Sequence, residues 1–129
     1  MVLLEVTEHF NWPLADFDGP WAAVYTTAND SPWTVSVYDM RTGRVRFEDQ
    51  AIGQVDTIAL APDGAIAWIE DNGDEVMKPS ETVFRVREHN HFGTFTLDRG
   101  PAIAPSSLVR RGATVRWRDG ASQRSGPLR

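Results

Sequence analysis

Val55-Asp56-Thr57-Ile58-Ala59-Leu60-Ala61-Pro62-Asp63-Gly64-Ala65-Ile66-Ala67-Trp68-Ile69 decides the fold class. Two apolar runs flank a Pro-Asp-Gly break. Proline presets the φ of a turn's entry, and glycine takes the positive φ that a tight return needs. The stretch therefore reads as a β-hairpin. The same chemistry recurs along the chain. Arg41-Thr42-Gly43 joins Val35–Asp39 to Val45–Phe47, and Arg111-Gly112 and Asp119-Gly120 punctuate the C-terminal part.

Period-2 runs surround these turns. Trp33-Thr34-Val35-Ser36-Val37-Tyr38 places Trp33, Val35 and Val37 on one face. Thr82-Val83-Phe84-Arg85-Val86-Arg87 sets Phe84 and Val86 against Arg85 and Arg87. Thr94-Phe95-Thr96-Leu97 and Ala113-Thr114-Val115-Arg116-Trp117 alternate in the same way. Such runs are half-buried strands. Eight prolines spread over the chain, and no 3.6-residue apolar period is present, so helices are not expected. Strands are expected at 2–10, 21–27, 33–39, 44–49, 55–61, 65–70, 82–88, 93–98, 107–110, 113–118 and 122–128.

A repeat underlies the pattern. Phe17-Asp18-Gly19-Pro20-Trp21-Ala22-Ala23-Val24-Tyr25, Pro62-Asp63-Gly64-Ala65-Ile66-Ala67-Trp68-Ile69 and Arg110-Arg111-Gly112-Ala113-Thr114-Val115-Arg116-Trp117 align without gaps. Their glycines at 19, 64 and 112 are 45 and 48 residues apart. A four-stranded unit of about 40 to 50 residues is the size of a propeller blade.

The Val37-Tyr38-Asp39-Met40-Arg41-Thr42-Gly43-Arg44-Val45 segment resembles the strand–turn–strand of bacterial β-propeller blades. Val55 to Trp68 is similar to the inner hairpin of a following blade. Ile103-Ala104-Pro105-Ser106-Ser107-Leu108, continuing to Trp117, resembles the closing blade of propeller-like proteins from actinobacteria. The resemblance implies β-propeller-like repeats of four-stranded antiparallel sheets and identifies no activity. The chain carries neither a Trp-Asp signature nor a kelch double glycine. The expected fold is a single all-β domain over 1–129, with repeat units at approximately 2–49, 55–99 and 103–128. The alternative on length alone is a monomeric β-sandwich or barrel.

Two and a half units fall short of the four to eight blades of a closed propeller. An open arc leaves apolar faces and unpaired edges. Two copies would make a five-bladed ring, so the expected partner is a second copy of the chain. Charge supports the same expectation. Residues 1–83 hold 15 acids and 4 bases, whereas residues 84–129 hold 9 bases and 3 acids. An acidic part and a basic part attract one another, within or between chains. The basic part has no lysine and no aromatic platform beyond Trp117, and the chain's net charge is −5, so nucleic acid is not an expected partner.

The 129 residues, 41% of them hydrophobic, can bury a core without staples. With no cysteine, thiol catalysis, disulfides and cysteine-ligated zinc are all excluded. Met1-Val2-Leu3-Leu4-Glu5-Val6 lacks a signal peptide's basic start and long apolar stretch. No run approaches the roughly 20 apolar residues of a membrane helix. A cytoplasmic protein, or a secreted one trimmed of its leader, is expected, with no membrane contact.

Candidate chemistry is sparse. His89 and His91 in Glu88-His89-Asn90-His91 would share a strand face and could chelate zinc, nickel or copper, although Asn90 and Gly93 suggest a solvated turn. Glu70-Asp71-Asn72-Gly73-Asp74-Glu75 is an oxygen-rich loop in which Asp71 and Asp74 would be calcium ligands, but its spacing is not that of an EF-hand. A divalent metal at these positions is the only cofactor considered, and none is expected. Asp16 and Asp18 form a carboxylate pair of the glycosidase kind, more simply read as turn residues. No serine stands in a Gly-x-Ser-x-Gly elbow. Trp21, Trp68 and Trp117 lie in repeat strands and are expected in the core. Trp12 and Trp33, each beside a proline, are expected at an exposed binding surface for a protein or sugar, or at a subunit seam. The expectation is a non-enzymatic binding or assembly module, with a small hydrolase or lyase as the alternative.

Overall fold

A computed structural model describes residues 11–27, 33–72 and 82–128, the side chains of 11–15 and 26–27 excepted. Eleven strands occur among these residues: β1 (Asn11–Asp18), β2 (Trp21–Thr27), β3 (Thr34–Asp39), β4 (Arg44–Gln50), β5 (Val55–Leu60), β6 (Ile66–Asp71), β7 (Phe84–Asn90), β8 (Gly93–Gly100), β9 (Val109–Arg111), β10 (Thr114–Asp119) and β11 (Ser122–Pro127). They form three sheets in strict chain order, β1-β2-β3-β4, β5-β6-β7-β8 and β9-β10-β11, with every pairing antiparallel. The fold is all-β.

The expected strand at 2–10 lies outside the described residues. A strand that the sequence pattern did not announce, β1, occupies 11–18, with Pro13 inside it. Proline is tolerated there because β1 is at the edge of its sheet, and the ladder slips between Asn11 and Leu14. The strand expected at 82–88 runs two residues later, from Phe84 to Asn90.

Glycines close the hairpins as expected. Gly43, at φ 73°, follows a turn in which its N–H and that of Thr42 both reach the Asp39 carbonyl. Gly64, at φ 89°, does the same work in the Pro-Asp-Gly turn.

Two separate cores flank the middle sheet. Trp21, Tyr25, Val35 and Val37 of the first sheet pack on Ile58, Leu60, Ile66 and Trp68 of the second. Ile103, Leu108, Val115, Trp117 and Leu128 pack on its other side against Ala59, Ala61, Ala65, Ala67 and Ile69. The middle sheet is thus buried on both faces, which is why Ile66-Ala67-Trp68-Ile69 is apolar without interruption. One of its faces is large and the other mostly alanine. The third sheet fills the alanine side with its own bulk, chiefly Trp117, so that packing density is kept. The described residues thus form three sheets with two cores between them.

The first strands of the three sheets are neighbours: β5 packs beside both β1 and β9. Polar ties reinforce this axis. Leu60 N–H donates to Asp16 Oδ2 at 3.0 Å, and Arg110 Nη2 of β9 meets Asp18 Oδ2 of β1 at 2.8 Å. The indole N–H of each core tryptophan also has a partner. Trp21 donates to the Pro62 carbonyl, Trp68 to Glu70 and Trp117 to Asp98.

Candidate functional site

Of the expected metal ligands among the described residues, Asp71 of the carboxylate loop and His89 of the histidine pair lie at opposite ends of one ladder. Asp71 pairs with Phe84 at one end of the β6–β7 ladder, and His89 pairs with Ile66 at the other. Five residues of extended chain separate them, about 16 Å. Asp71 Oδ1 accepts the Gln54 N–H at 2.9 Å, tying the β4–β5 connection down. Asp74 lies outside the described residues. His91 sits in the β7–β8 turn and not on the strand face beside His89. Its ring tilts against Phe92, with centroids 4.0 Å apart. Among the described residues no three His, Asp or Glu side chains form a metal-binding group.

Asp16 and Asp18 are both engaged in the ties along β1, which gives that pair a structural use. Trp33 is half-buried and packs on the first core, its ring 4.8 Å from that of Tyr25. It therefore sits at the margin of the core, with part of its ring still open. Trp12 falls in β1, but its side chain lies outside the described residues.

Three surfaces are left to act. The first is the outer face of sheet one, open at its flanks, while Ala22, Val24 and Ser36 of its central strands are buried on that face. Register places Phe17, Ala22, Tyr38 and Val45 in one row across all four strands. Phe17 is 51% exposed and Val45 48%. In the next row Ser36 Oγ donates to Glu48 Oε2 at 3.3 Å.

The second surface is the outer face of sheet three. Val115 and Trp117 point into the core, so Thr114, Arg116 and Arg118 point out. Register sets Arg111 beside Thr114, Val109 beside Arg116 and Gln123 beside Arg118. Arg111, Arg116 and Arg118 are exposed, and none has an acidic partner among the described residues. Beyond β11, at the sheet's edge, no further strand pairs among the described residues.

The third surface is a cavity of about 660 Å³ at the turn end of sheets one and two. Arg46 of β4, the Asp63-Gly64-Ala65 turn and the β7–β8 turn from His89 to Gly93 line it. Arg46 is the extra residue of a β-bulge, since Val37 pairs with Phe47 and Tyr38 with Val45. A bulge re-aims its side chain. Here the guanidinium lies 5.0 Å from the Trp21 ring centroid. Arg41 stacks on the same indole but is held by Asp39 at 3.0 Å, which keeps that carboxyl below its usual range. His89 stacks on Phe47, with ring centroids 3.7 Å apart, and its Nδ1 shares a 2.8 Å hydrogen bond with Thr94 Oγ1. Burial pushes its pKa down, which favours the neutral ring.

Asp56 is the extra residue of a second bulge, between Val55 and Thr57. Burial and the nearby Asp71 charge raise its pKa to about 6. Neither bulge was visible in the pattern of the sequence. Compared with protein-family models, with curated proteins and with solved structures, the chain matches none.

Proposed function

We propose that this chain is a non-enzymatic self-assembly module, an arc of β-propeller-like blades that closes into a ring with a second copy. The observation that carries the reading is the side-by-side placement of β1, β5 and β9, each the first strand of a sequential antiparallel sheet. Sheets arranged in this way share an inner axis and fan outward, and such an array closes only when more sheets are added.

The two end faces are unlike and complementary. The arginines at 111, 116 and 118 meet the Phe17–Tyr38–Val45 row and Glu48 of the next copy. Guanidinium groups stack on aromatic rings and pair with carboxylates. An interface between unlike faces is head-to-tail, and it forms a closed ring when its rotation closes.

Sedimentation equilibrium at micromolar concentration tests this. A mass of about two 14.4 kDa chains is expected. Arg116→Glu combined with Arg118→Glu should return a monomer with unchanged circular dichroism. A wild-type protein that stays monomeric overturns the proposal.

A further inference from the structure

The geometry points to the cavity at the turn end of sheets one and two as a binding site for a small organic anion with a flat apolar body, its oxyanion held by Arg46. The site lies within one chain, so it is complete whether or not copies associate.

The inference starts from Arg46. Arg46 is placed by a bulge, and a bulge beside a cavity redirects one side chain at a cost in ladder hydrogen bonds. Its guanidinium has no carboxylate within ion-pair distance among the described residues, unlike Arg41 beside it, although its charge also helps to hold the Asp39 carboxyl below its usual range. The Trp21 ring centroid lies 5.0 Å from it, within cation–π range, and a guanidinium can bond an oxyanion in two-pronged fashion.

The opposite wall is aromatic. Phe92 is 76% exposed, and the His91 ring lies against it. A ligand ring laid there would cover apolar surface that water now contacts.

The floor is also prepared. His89 is clamped between Phe47 and Thr94, leaving Nε2 as the ring nitrogen with no partner among the described residues. A neutral imidazole either donates to an oxyanion or accepts from a hydroxyl. Glycine at 64 lets the turn lie close on Trp21, because a Cβ there would sit 3.1 Å from that ring.

Asp63 also lines the cavity, but its Oδ1 is turned to the Ala65 N–H at 3.0 Å. The volume lies within the range for small-molecule sites and admits one ring with a charged group with room to spare. Carboxylate and phosphate monoester share the chemistry that Arg46 recognises.

Titration of ¹⁵N-labelled protein followed by NMR tests the site, with benzoate, phenyl phosphate, benzamide and inorganic phosphate as probes. Benzoate or phenyl phosphate should saturate with a Kd of about 1 mM or tighter. The shifts should centre on the Arg46 Nε–H and the Gly64, Phe92 and Gly93 amides. Which of the two binds more tightly identifies the anion. Benzamide, which lacks the charge, and inorganic phosphate, which lacks the ring, should bind at least about tenfold more weakly. Arg46→Gln should weaken the preferred probe about 10- to 100-fold, and Phe92→Ala about 3- to 10-fold. Both side chains are exposed, and an unchanged spectrum away from the turns confirms folding. The inference is overturned if neither aromatic anion saturates, if benzamide or inorganic phosphate binds equally well, or if Arg46→Gln binds like the parent.

Discussion

Arg110 Nη2 sits 2.8 Å from Asp18 Oδ2, joining the third sheet to the first across 92 residues of sequence. The pair bridges β9 and β1 beside β5, where the three first strands gather. A second nitrogen of the same guanidinium, Nη1, donates to the Gly112 carbonyl at 2.9 Å, so the side chain is preoriented. Both partners are about three-quarters buried, which places them between a surface pair and an interior one. A double-mutant cycle with Asp18→Asn and Arg110→Gln should give a coupling energy of about 1 kcal/mol. Urea unfolding measures it, and purely additive effects would show that the contact contributes nothing to stability.

The unequal faces of the middle sheet give a second prediction. Trp68, 1% exposed, fills the first core, so Trp68→Ala should cost about 3 to 5 kcal/mol. Ala67, on the other face, is 0% exposed and lies in the core with Trp117. Ala67→Leu should cost about 1 to 3 kcal/mol by overpacking, although it adds apolar surface. Thermal melts of both variants check this. A stabilised Ala67→Leu would mean that the second core holds a void.

The first core and the sheet order were legible because they rest on alternation and turn chemistry. Val35 and Val37 share a face in the sequence and share a core in the structure, and the Pro62-Asp63-Gly64 turn is where it was expected. Trp33 fits the same alternation, yet its neighbouring proline suggested exposure. Its ring is drawn onto Tyr25, a contact between strands that no local pattern encodes. Arg46 was hidden for a related reason. Arg44-Val45-Arg46-Phe47 reads as unbroken alternation, while the bulge that redirects Arg46 is a property of the pairing with β3. The same holds for Asp56 on β5. Asp18 looked like a turn residue because its partner is a distant arginine.

Acid groups buried without a cation predict a pH dependence. Asp56 titrates at about 6 when folded, above an ordinary value of 3.8. Burial also raises the Glu88 pKa; that residue is 5% exposed, and its Oε2 has no hydrogen-bond partner. A raised folded pKa means that the folded state binds the proton more tightly. The stabilising contribution is full below the unfolded value and is lost as pH rises through the folded one. Stability should therefore fall between about pH 4 and pH 7, by about 1 kcal/mol from Asp56 after screening at its partly open site. Asp56→Asn should flatten that part of the profile, as Glu88→Gln should independently. Urea midpoints measured from pH 4 to pH 8 decide it. A slope unchanged in both variants would assign the dependence to other groups.

Two turn glycines separate backbone strain from packing. Gly43 has φ 73° with nothing within 4 Å of a would-be Cβ. Gly43→Ala therefore carries only the left-handed backbone cost, about 1 kcal/mol. Gly64 has φ 89°, and its Cβ would meet the Trp21 ring at 3.1 Å. Gly64→Ala adds a steric term to the same strain, since that ring donates its N–H to the Pro62 carbonyl and cannot recede without losing the bond. The total should reach about 2 to 4 kcal/mol. The difference between the two variants isolates the Trp21 contact, and Gly64→Ala should also shift Trp21 fluorescence where Gly43→Ala leaves it alone. Equal destabilisation of the two would show that Trp21 yields freely and that the rim is softer than its hydrogen bond implies.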